Sequence, residues 1–300
     1  MRPIYALLLV IVLSAQATSA FAQDNQKDDH PMRIDQNNKS DVDTRSAINR
    51  SNTTEIKTHE VYGYREVSDF FNIREANSQV DKGEWEVEFQ GGWSTYSNHH
   101  DDNFGLEETI KYGFTDDFFV ELEVMEPNLG DGANQGNGDL NLLLFNRFVR
   151  ETDCLPAIGG QAEMRIPTGD GSSGVDGTFS LIATKTFCEK FRVHFQGFVE
   201  TANGDPGGDD VDRRHFQWGV GPGFDYQVCD NLMALINYLN RSSDEYGHHN
   251  MNILELGTIY EICHTECTHQ HIKLAIDIGL DGAGETENFG AKFQYSIDWK

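Results

Sequence analysis

The sequence is poor in basic residues. Its 300 residues include 23 Lys and Arg against 49 Asp and Glu, which gives a formal net charge of −26. Nucleic acid and anionic lipid head groups both require clustered Lys and Arg, so we expect neither as a partner. Much of the acid falls in Gly/Asp-rich segments, a distribution that is typical of a solvated, repulsive surface.

Catalytic motifs and long apolar runs are also missing. The sequence contains no Gly-x-Ser-x-Gly elbow, no His-Glu-x-x-His helix and no P-loop, so we expect no enzyme. After the first residues, no stretch approaches the roughly 18 consecutive apolar residues that a transmembrane helix needs. Any membrane residence must therefore come from strands.

The amino-terminal residues have the features of an export signal. Arg2 precedes an apolar run from Tyr5 to Leu13, and small residues close the segment at Ala20-Phe21-Ala22. This pattern predicts a cleaved signal peptide over residues 1–22. Residues 23–82 are rich in Asp, Asn, Lys, Ser and Thr, which predicts a mostly disordered periplasmic arm. Within this arm, the apolar cluster from Tyr62 to Ile73 could form a short element or a plug.

From residue 83 to residue 300 the apolar side chains recur with a period of two. Phe293 and Ile297, for example, alternate with Lys292 and Asp298, as expected for strands with two unlike faces. We predict about twelve strands, at residues 84–96, 104–114, 118–127, 138–149, 157–167, 177–187, 191–201, 214–228, 232–241, 251–262, 271–280 and 287–299. Each is near the roughly 9–11 residues that span a bilayer when tilted, and the number is even.

The connections between the strands alternate in length. Short turns lie near Thr115, Cys154, Cys188 and Cys229 and from Cys263 to His269, whereas the intervening loops are long and Gly/Asp-rich. This sidedness predicts an all-β fold, an antiparallel up-and-down transmembrane β-barrel with periplasmic turns and extracellular loops. We therefore expect an outer-membrane location, contact with outer-membrane lipid and insertion by the barrel assembly machinery. Both the amino-terminal arm and the carboxyl terminus should then be periplasmic.

Aromatic residues near the strand ends favour a membrane barrel over a soluble one. Trp85 and Trp93 stand at the two ends of the first predicted strand, and Phe289 and Trp299 at the ends of the last. Such positions match the aromatic girdles at the two membrane interfaces. A soluble barrel would instead direct its polar face outwards.

One part of the chain resembles a known family. Gly138-Asp139-Leu140 is followed by a strand that ends in Pro167-Thr168-Gly169-Asp170, then by a Gly/Ser loop and the strand from Thr178 to Lys185. This order resembles the outer-membrane proteins grouped as the MetA-pathway of phenol degradation family. The resemblance implies a porin-like barrel that admits small, often hydrophobic or aromatic, molecules and has no defined catalytic residues. The cysteines and the long acidic arm depart from that family.

Strand parity predicts which polar residues face the lumen. They are Glu86, Glu88, Glu107, Lys111, Glu121, Glu123, Arg147, Glu163, Arg165, Arg192, Asp225, Lys273, Asp277, Lys292 and Asp298. Mixed charges on facing strands can form a ladder that holds the barrel together, or a field across a pore. A barrel of about twelve strands is wider than the eight-stranded type that side chains fill, so both interpretations stand.

The five cysteines all fall in the series of short turns. They are Cys154, Cys188, Cys229, Cys263 and Cys267. Export to an oxidising compartment favours disulfides, with Cys188 bridged to Cys154 or Cys229, and Cys263 to Cys267. An odd count leaves at least one thiol for another chain or unpaired.

The cysteine and histidine run near residue 265 allows a second interpretation. Cys263, His264, Cys267, His269 and His271 could surround one Zn²⁺ or copper ion, because thiolates and imidazoles are the ligands that these metals prefer. A disulfide turn with solvated histidines is the alternative. No other cofactor is expected beyond weak divalent metal at the acidic loops, which lack the EF-hand spacing.

Three functions remain open on the sequence alone. The first is a barrel that conducts or takes up small, often hydrophobic, solutes without chemistry. The second is a structural or adhesive β-protein that uses its acidic loops, and the third is a barrel that acts on lipids.

Overall fold

The computed structural model describes residues 66–95, 102–124, 138–169, 174–202, 214–243, 247–265, 267–280 and 289–300. These ranges contain β1 (Trp85–Thr95), β2 (Asp102–Thr115), β3 (Phe118–Val124), β4 (Leu140–Val149), β5 (Ala157–Ile166), β6 (Asp176–Cys188), β7 (Phe191–Thr201), β8 (Phe216–Cys229), β9 (Leu232–Arg241), β10 (Met251–His264), β11 (Thr268–Gly279) and β12 (Phe289–Trp299). Among the described residues, no helix is long and apolar enough to cross a membrane. The predicted signal peptide, the arm up to residue 65 and much of the long loops lie outside these ranges.

The strands form one closed antiparallel barrel in which each strand pairs with its neighbours in sequence. The first strand pairs with the last, from Trp85 opposite Trp299 to Thr95 opposite Phe289. Closure gives both terminal strands a partner along their whole length, which removes the open edges that promote aggregation. The predicted all-β, up-and-down barrel of about twelve strands is confirmed.

The hairpin between β10 and β11 differs most from the predicted strand limits. The strands continue to His264 and begin again at Thr268, so the turn is shorter than the predicted stretch from Cys263 to His269. Thr265 closes this turn. Its backbone N–H donates to the Thr268 carbonyl oxygen (2.9 Å), and its Oγ1 accepts from the Thr268 N–H (3.0 Å). These local bonds close the turn, so fewer residues are needed to connect the two strands.

The period of two in the sequence separates an inner from an outer face. In β8 every second residue from Gln217 to Gln227 is buried, and in β9 every second residue from Met233 to Leu239. The alternate residues face outwards and are exposed, like Phe224, or half-buried, like Trp218. The buried residues of β8 are mostly polar or glycine, so this barrel has a polar interior and an apolar exterior.

Aromatic side chains lie on the outer surface at both rims. We call the end of the barrel with the short turns the turn end and the opposite end the loop end. At the turn end the ring of Tyr112 lies 4.6 Å from that of Trp85 and 4.9 Å from that of Phe114. At the loop end Trp93 and Phe289 are 6.0 Å apart, edge to face. Aromatic rims around an apolar band match the two interfaces of a lipid bilayer.

Residues 66–80, here called the plug, run through the interior of the barrel without regular secondary structure. All of them except Asp69 and Asn72 are buried. Gly83, with a φ of 80°, leads the chain from the plug into β1. Gly113 on β2 lacks the Cβ that would collide with the Asp81 carbonyl oxygen at this point. The described end of the predicted arm therefore lies inside the barrel.

Candidate functional site

The plug has a defined shape because it folds back on itself at Glu75. The Glu75 N–H donates to the Val67 carbonyl oxygen (2.9 Å), and its carboxylate accepts from the Val67 N–H (3.0 Å). The Phe71 N–H donates to the Ser68 carbonyl oxygen at 3.2 Å. A buried coil must find partners for its backbone groups, and these local bonds provide some of them.

Apolar contacts join the plug to the barrel wall in two clusters. The first contains Val67, Phe70, Phe71, Met233, Leu235, Ile259 and Ala275. The second contains Ala76, Val80, Phe119, Leu143, Phe145, Ala157 and Ile182. Gly257 on β10 accommodates the first cluster, since a Cβ there would lie 2.6 Å from the Phe71 ring. Burial of side chains of this size stabilises by about 1.5–3 kcal/mol each.

A buried ion-pair network joins the plug to β7 and β8. We call Glu75, Arg192, Asp225, His194 and Thr184 the Arg192 network. The Arg192 guanidinium donates to Glu75 (2.6 Å) and to Asp225 (2.8 Å through Nε), and both carboxylates are almost fully buried. His194 Nε2 lies 2.8 Å from the same Asp225 oxygen. Charge-assisted bonds of this length are among the strongest in proteins.

The network continues into the plug backbone. Thr184 Oγ1 lies 2.9 Å from His194 Nδ1 and accepts a hydrogen bond from the Ala76 N–H at 2.8 Å. The wall therefore holds the plug through a main-chain group as well as through the Glu75 side chain.

Arg74 provides a separate contact from the plug to the wall. Its guanidinium donates to Gln161 (2.5 Å), and its central carbon lies 4.6 Å from the centre of the Phe145 ring. Its backbone N–H donates to the Gln196 side chain at 3.0 Å. A guanidinium over an aromatic face gains about 2 kcal/mol when desolvated.

Asn72 binds two acidic side chains of the wall. Its N–H donates to Glu255 (2.9 Å) and its side-chain amide to Asp277 (2.8 Å). Lys292 lies 2.6 Å from Glu255 and 3.1 Å from Asp277, so one ammonium serves both carboxylates.

Two lysines contact the amino-terminal part of the plug. Lys111 Nζ lies 2.7 Å from Glu88 and 3.5 Å from Asp69. Lys273 donates to Ser68 (2.7 Å) and to Glu88 (3.3 Å). Burial raises the pKa of Asp69, but the charges of Lys111 and Arg74 outweigh it and hold that pKa below its usual range. Asp69 is therefore ionised at neutral pH.

Ion pairs also surround the turn end of the barrel. Asp117, in the turn after β2, accepts from Arg147 and from Arg150, each within 2.7 Å. Burial raises the pKa of Asp117, but the hydrogen bonds from Arg150 and Arg147 outweigh it, so this pKa is lowered. Lys300 lies 2.9 Å from Asp81, which ties the end of the chain to the root of the plug.

A cavity of about 190 Å³ remains between the plug and the wall formed by β1 to β5. Its lining residues are Asp69, Phe70, Glu88, Gln90, Glu107, Glu121, Glu123, Asn141, Leu143, Gln161 and Glu163. Six of these carry carboxylates and none carries an ammonium group. Lys111 Nζ lies 2.7 Å from Glu88, 3.5 Å from Asp69 and 3.9 Å from Glu121, so the carboxylates outnumber the cations beside them. The cavity is therefore acidic and attracts cations.

The residues that parity predicts for the lumen fall into four groups. Glu88, Glu107, Glu121, Glu123 and Glu163 line the cavity. Lys111, Arg192, Asp225, Lys273, Asp277 and Lys292 belong to the contacts that hold the plug. Glu86 and Asp298 are buried near the turn end.

Two predicted lumen residues remain, Arg147 and Arg165, and they lie at opposite ends of the barrel. Arg147 donates to the plug residue Asn77 at 3.1 Å. Arg165 lies near the loop end, where it forms ion pairs with Asp139 (2.7 Å) and with Asp176.

Sequence reasoning missed several residues of this site. His194, Gln161 and Glu255 follow the same inward parity as the predicted residues and could have been found by it. Arg74 and Glu75 carry no such signal, because the plug has no period.

The five cysteines are free thiols in the structure. Cys263 is half-buried and the other four are exposed. No bond joins the predicted pairs, and disulfide formation after export stays a prediction.

The predicted cluster of cysteine and histidine ligands is divided between two places. His264 and His269 come together with Glu261 on the surface, whereas His271 lies inside the barrel with Glu66 and Glu86. Within each of these groups the ligand atoms are all within 4.8 Å of one another. Neither group contains a cysteine, because the short hairpin places Cys263 and Cys267 outside them.

A closed antiparallel barrel with an even number of strands, aromatic rims and a polar lumen defines the architectural class of outer-membrane β-barrels. The chain is similar to the crystal structure of the COG4313 outer membrane channel from Pseudomonas putida F1, with a TM-score of 0.55 and 15% identity over 75% of this chain and 98% of that chain. It is also similar to the NanC porin (TM-score 0.48, 10% identity, 71% and 99% covered). A third similar structure is the KdgM porin (TM-score 0.44, 8% identity, 72% and 98% covered).

The first likeness supports the shared barrel fold. No protein-family model matches the sequence, and no curated protein sequence matches it. The predicted membership of the MetA-pathway of phenol degradation family is therefore not confirmed.

Proposed function

We propose that this protein is an outer-membrane channel that its own plug closes, and that it passes small polar solutes, cations preferred, when the plug moves. In this proposal the protein catalyses no reaction on the solute. The observation that carries it is the plug itself, a segment joined to β1 and bound inside the barrel through ion pairs with Arg192 and Lys111 and through two apolar clusters.

The nature of the contacts supports a plug that can move. Arg192 and Lys111 hold it through ion pairs with Glu75 and Asp69, and water and salt can replace such partners when the segment leaves. A wholly apolar interface would expose its surface to water instead. The acidic loops outside the described residues would add to the attraction for cations.

The acidic cavity supports the preference for cations. Glu107, Glu123 and Glu163 contribute three of the six carboxylates that line it. Rings of carboxylates select cations in other channels. This lining favours a cationic or polar solute over the hydrophobic one that the family resemblance implies.

Conductance in a planar bilayer tests the proposal. The full chain should show small, rare openings, and deletion of residues 66–80 should raise the mean conductance at least tenfold. In a salt gradient the reversal potential should indicate cation preference, and Glu107→Gln with Glu163→Gln should reduce it. Heat-modifiable mobility on a gel shows whether each variant has formed its barrel.

A single substitution tests the hold on the plug without deleting the segment. Glu75→Gln removes the charge that pairs with Arg192 and should increase the frequency of opening. Arg150→Gln, at a partly exposed ion pair with Asp117 in a turn outside the lumen, is the control and should leave conductance unchanged. A folded deletion variant without conductance would contradict the channel and support the structural role.

Cell fractionation tests the proposed location. The mature protein should be found in the outer-membrane fraction, since its apolar exterior requires lipid. Recovery from the soluble periplasmic fraction would contradict the membrane barrel.

A further inference from the structure

A buried group of ligand-type side chains lies where the plug enters the barrel. Glu66 belongs to the plug, Glu86 to β1 and His271 to β11, and their ligand atoms are all within 4.8 Å of one another. His271 Nε2 is 3.7 Å from Glu86 Oε1. Each of these three residues is at most 2% exposed. Three separate segments of the chain therefore bring two carboxylates and an imidazole to one buried point.

Unsatisfied polar atoms surround this point. Neither carboxylate oxygen of Glu86 has a hydrogen-bond partner, and the same is true of Ser296 Oγ and Asp298 Oδ1. These side chains are neighbours in the sheet, since Glu86 is opposite Asp298 and His271 is opposite Ser296. We call Glu66, Glu86, His271, Ser296 and Asp298 the Glu86 cluster.

The nearby lysines do not satisfy Glu86. Lys111 Nζ is 3.8 Å from Glu86 but 2.7 Å from Glu88, and Lys273 donates to Glu88 and Ser68. A buried carboxylate without a hydrogen bond is costly, because it has lost its hydration without compensation. Such a group in a native structure requires an explanation, and a bound ion is one that fits a site with several ligand-type side chains.

We propose that the Glu86 cluster binds one divalent transition-metal ion, Zn²⁺ in the first place, with Glu66, Glu86 and His271 as ligands. Two carboxylates with one imidazole suit Zn²⁺, which also accepts a water or a hydroxyl in a fourth position. Ca²⁺ and Mg²⁺ fit less well, because they bind through six or more oxygen ligands. The ion neutralises the charge of Glu66 and Glu86 and supplies the partner that the two oxygens of Glu86 lack.

The ion joins the plug to the wall, since Glu66 is the ligand that the plug contributes. Metal binding therefore holds the amino-terminal end of the plug inside the barrel. Binding itself does not depend on transport, whereas the closing effect rests on the proposed channel function.

Zinc binding to the full-length folded protein tests the site. The protein is stripped with a chelator, its five thiols are alkylated, and it is titrated with Zn²⁺ by calorimetry. We expect one ion per chain at the buried site, with affinity at least tenfold lower in Glu86→Gln and in His271→Gln. Ca²⁺ should bind at least tenfold more weakly than Zn²⁺. Substitution by Co²⁺ should give absorption typical of nitrogen and oxygen ligands, without thiolate charge-transfer bands.

His264→Gln is the matched control, because it alters the exposed group of Glu261, His264 and His269. Zinc binding that is lost in His264→Gln and unchanged in Glu86→Gln would overturn the proposal, and so would an absence of Zn²⁺ binding. Glu66→Gln supplies a variant outside the strands if Glu86→Gln does not fold, and it should weaken binding to a similar extent.

Conductance with and without the ion separates the two proposals. If Zn²⁺ binds and reduces openings in the wild type but not in Glu66→Gln, the ion closes the plug. If Zn²⁺ binds with the expected dependence on Glu86 and no conductance is found in any variant, the metal site stands and the channel function fails.

Discussion

The Arg192 network and the Glu86 cluster perform the same task in different ways. Each brings a carboxylate of the plug to the inner wall at a buried position. In the first, Arg192 donates to both Glu75 and Asp225. In the second, no hydrogen bond reaches either oxygen of Glu86. A guanidinium carries five donors and can serve several carboxylates, whereas the Glu86 cluster contains no such group.

The difference shows that burial and charge alone do not identify a stabilising contact. Both regions contain acidic side chains that are almost fully buried. Hydrogen bonds from Arg192 compensate the carboxylates of the network, whereas neither oxygen of Glu86 receives one. Substitutions in the two regions should therefore have opposite effects.

Arg192→Met should have the largest effect on stability. It leaves Glu75 and Asp225 buried without their cation, which costs about 3–5 kcal/mol when one member of a buried pair is removed. Urea unfolding of the barrel in detergent, followed by gel mobility, measures the loss. Arg150→Gln is the control, because that ion pair with Asp117 is partly exposed and should contribute less than about 1 kcal/mol. Equal losses in the two variants would contradict the role of the network.

Glu75→Gln should have a smaller effect in the same direction. Arg192 keeps Asp225 but loses a charged acceptor, and hydrogen bonds to charged groups contribute about 1.5–3 kcal/mol. The same urea measurement applies, with protease cleavage within the plug as a second readout. Unchanged unfolding and cleavage would show that Arg192 does not hold the plug.

Glu86→Gln should change the free energy of unfolding in the opposite direction. In chelator the substitution removes a buried carboxylate that receives no hydrogen bond and should raise the free energy of unfolding by up to about 1 kcal/mol. With Zn²⁺ present it should lower stability instead, because the wild type alone gains from the ion. A loss in chelator as large as that of Arg192→Met would mean that Glu86 already has a good partner.

Asp117→Asn should give the smallest effect, and it should depend on pH. The pKa of Asp117 is lowered because the hydrogen bonds from Arg150 and Arg147 outweigh its burial. A carboxylate with a depressed pKa stabilises above its unfolded pKa and loses that contribution as pH falls through the folded value. The difference in urea midpoint from the wild type should be present at neutral pH and shrink below about pH 4. A difference that is the same at all pH values would exclude this ion pair as the cause.

The barrel was predictable because its strands repeat one simple pattern. Alternation from Phe289 to Trp299, like that in the other strands, fixes which side chains face inwards once the strand number is known. The largest shift of the strand limits is at the hairpin between β10 and β11, where the bonds of Thr265 shorten the turn.

The site was less predictable because it combines a periodic wall with an aperiodic segment. Parity identified Arg192 and Asp225 as inward-facing, yet their partner Glu75 belongs to a coil that no pattern places. The sequence also grouped His271 with His264 and His269, because it could not show that His271 faces the interior beside Glu86.

The closure of β1 on β12 has a consequence for biogenesis. The binding surface for the plug takes residues from β2, β5, β7, β10 and β11, so it is complete only after the last strand has joined the first. The ion pair of Lys300 with Asp81 places the final residue of the chain beside the root of the plug. A protected plug is therefore a marker of a finished barrel, and its cleavage during synthesis would report how far insertion has progressed.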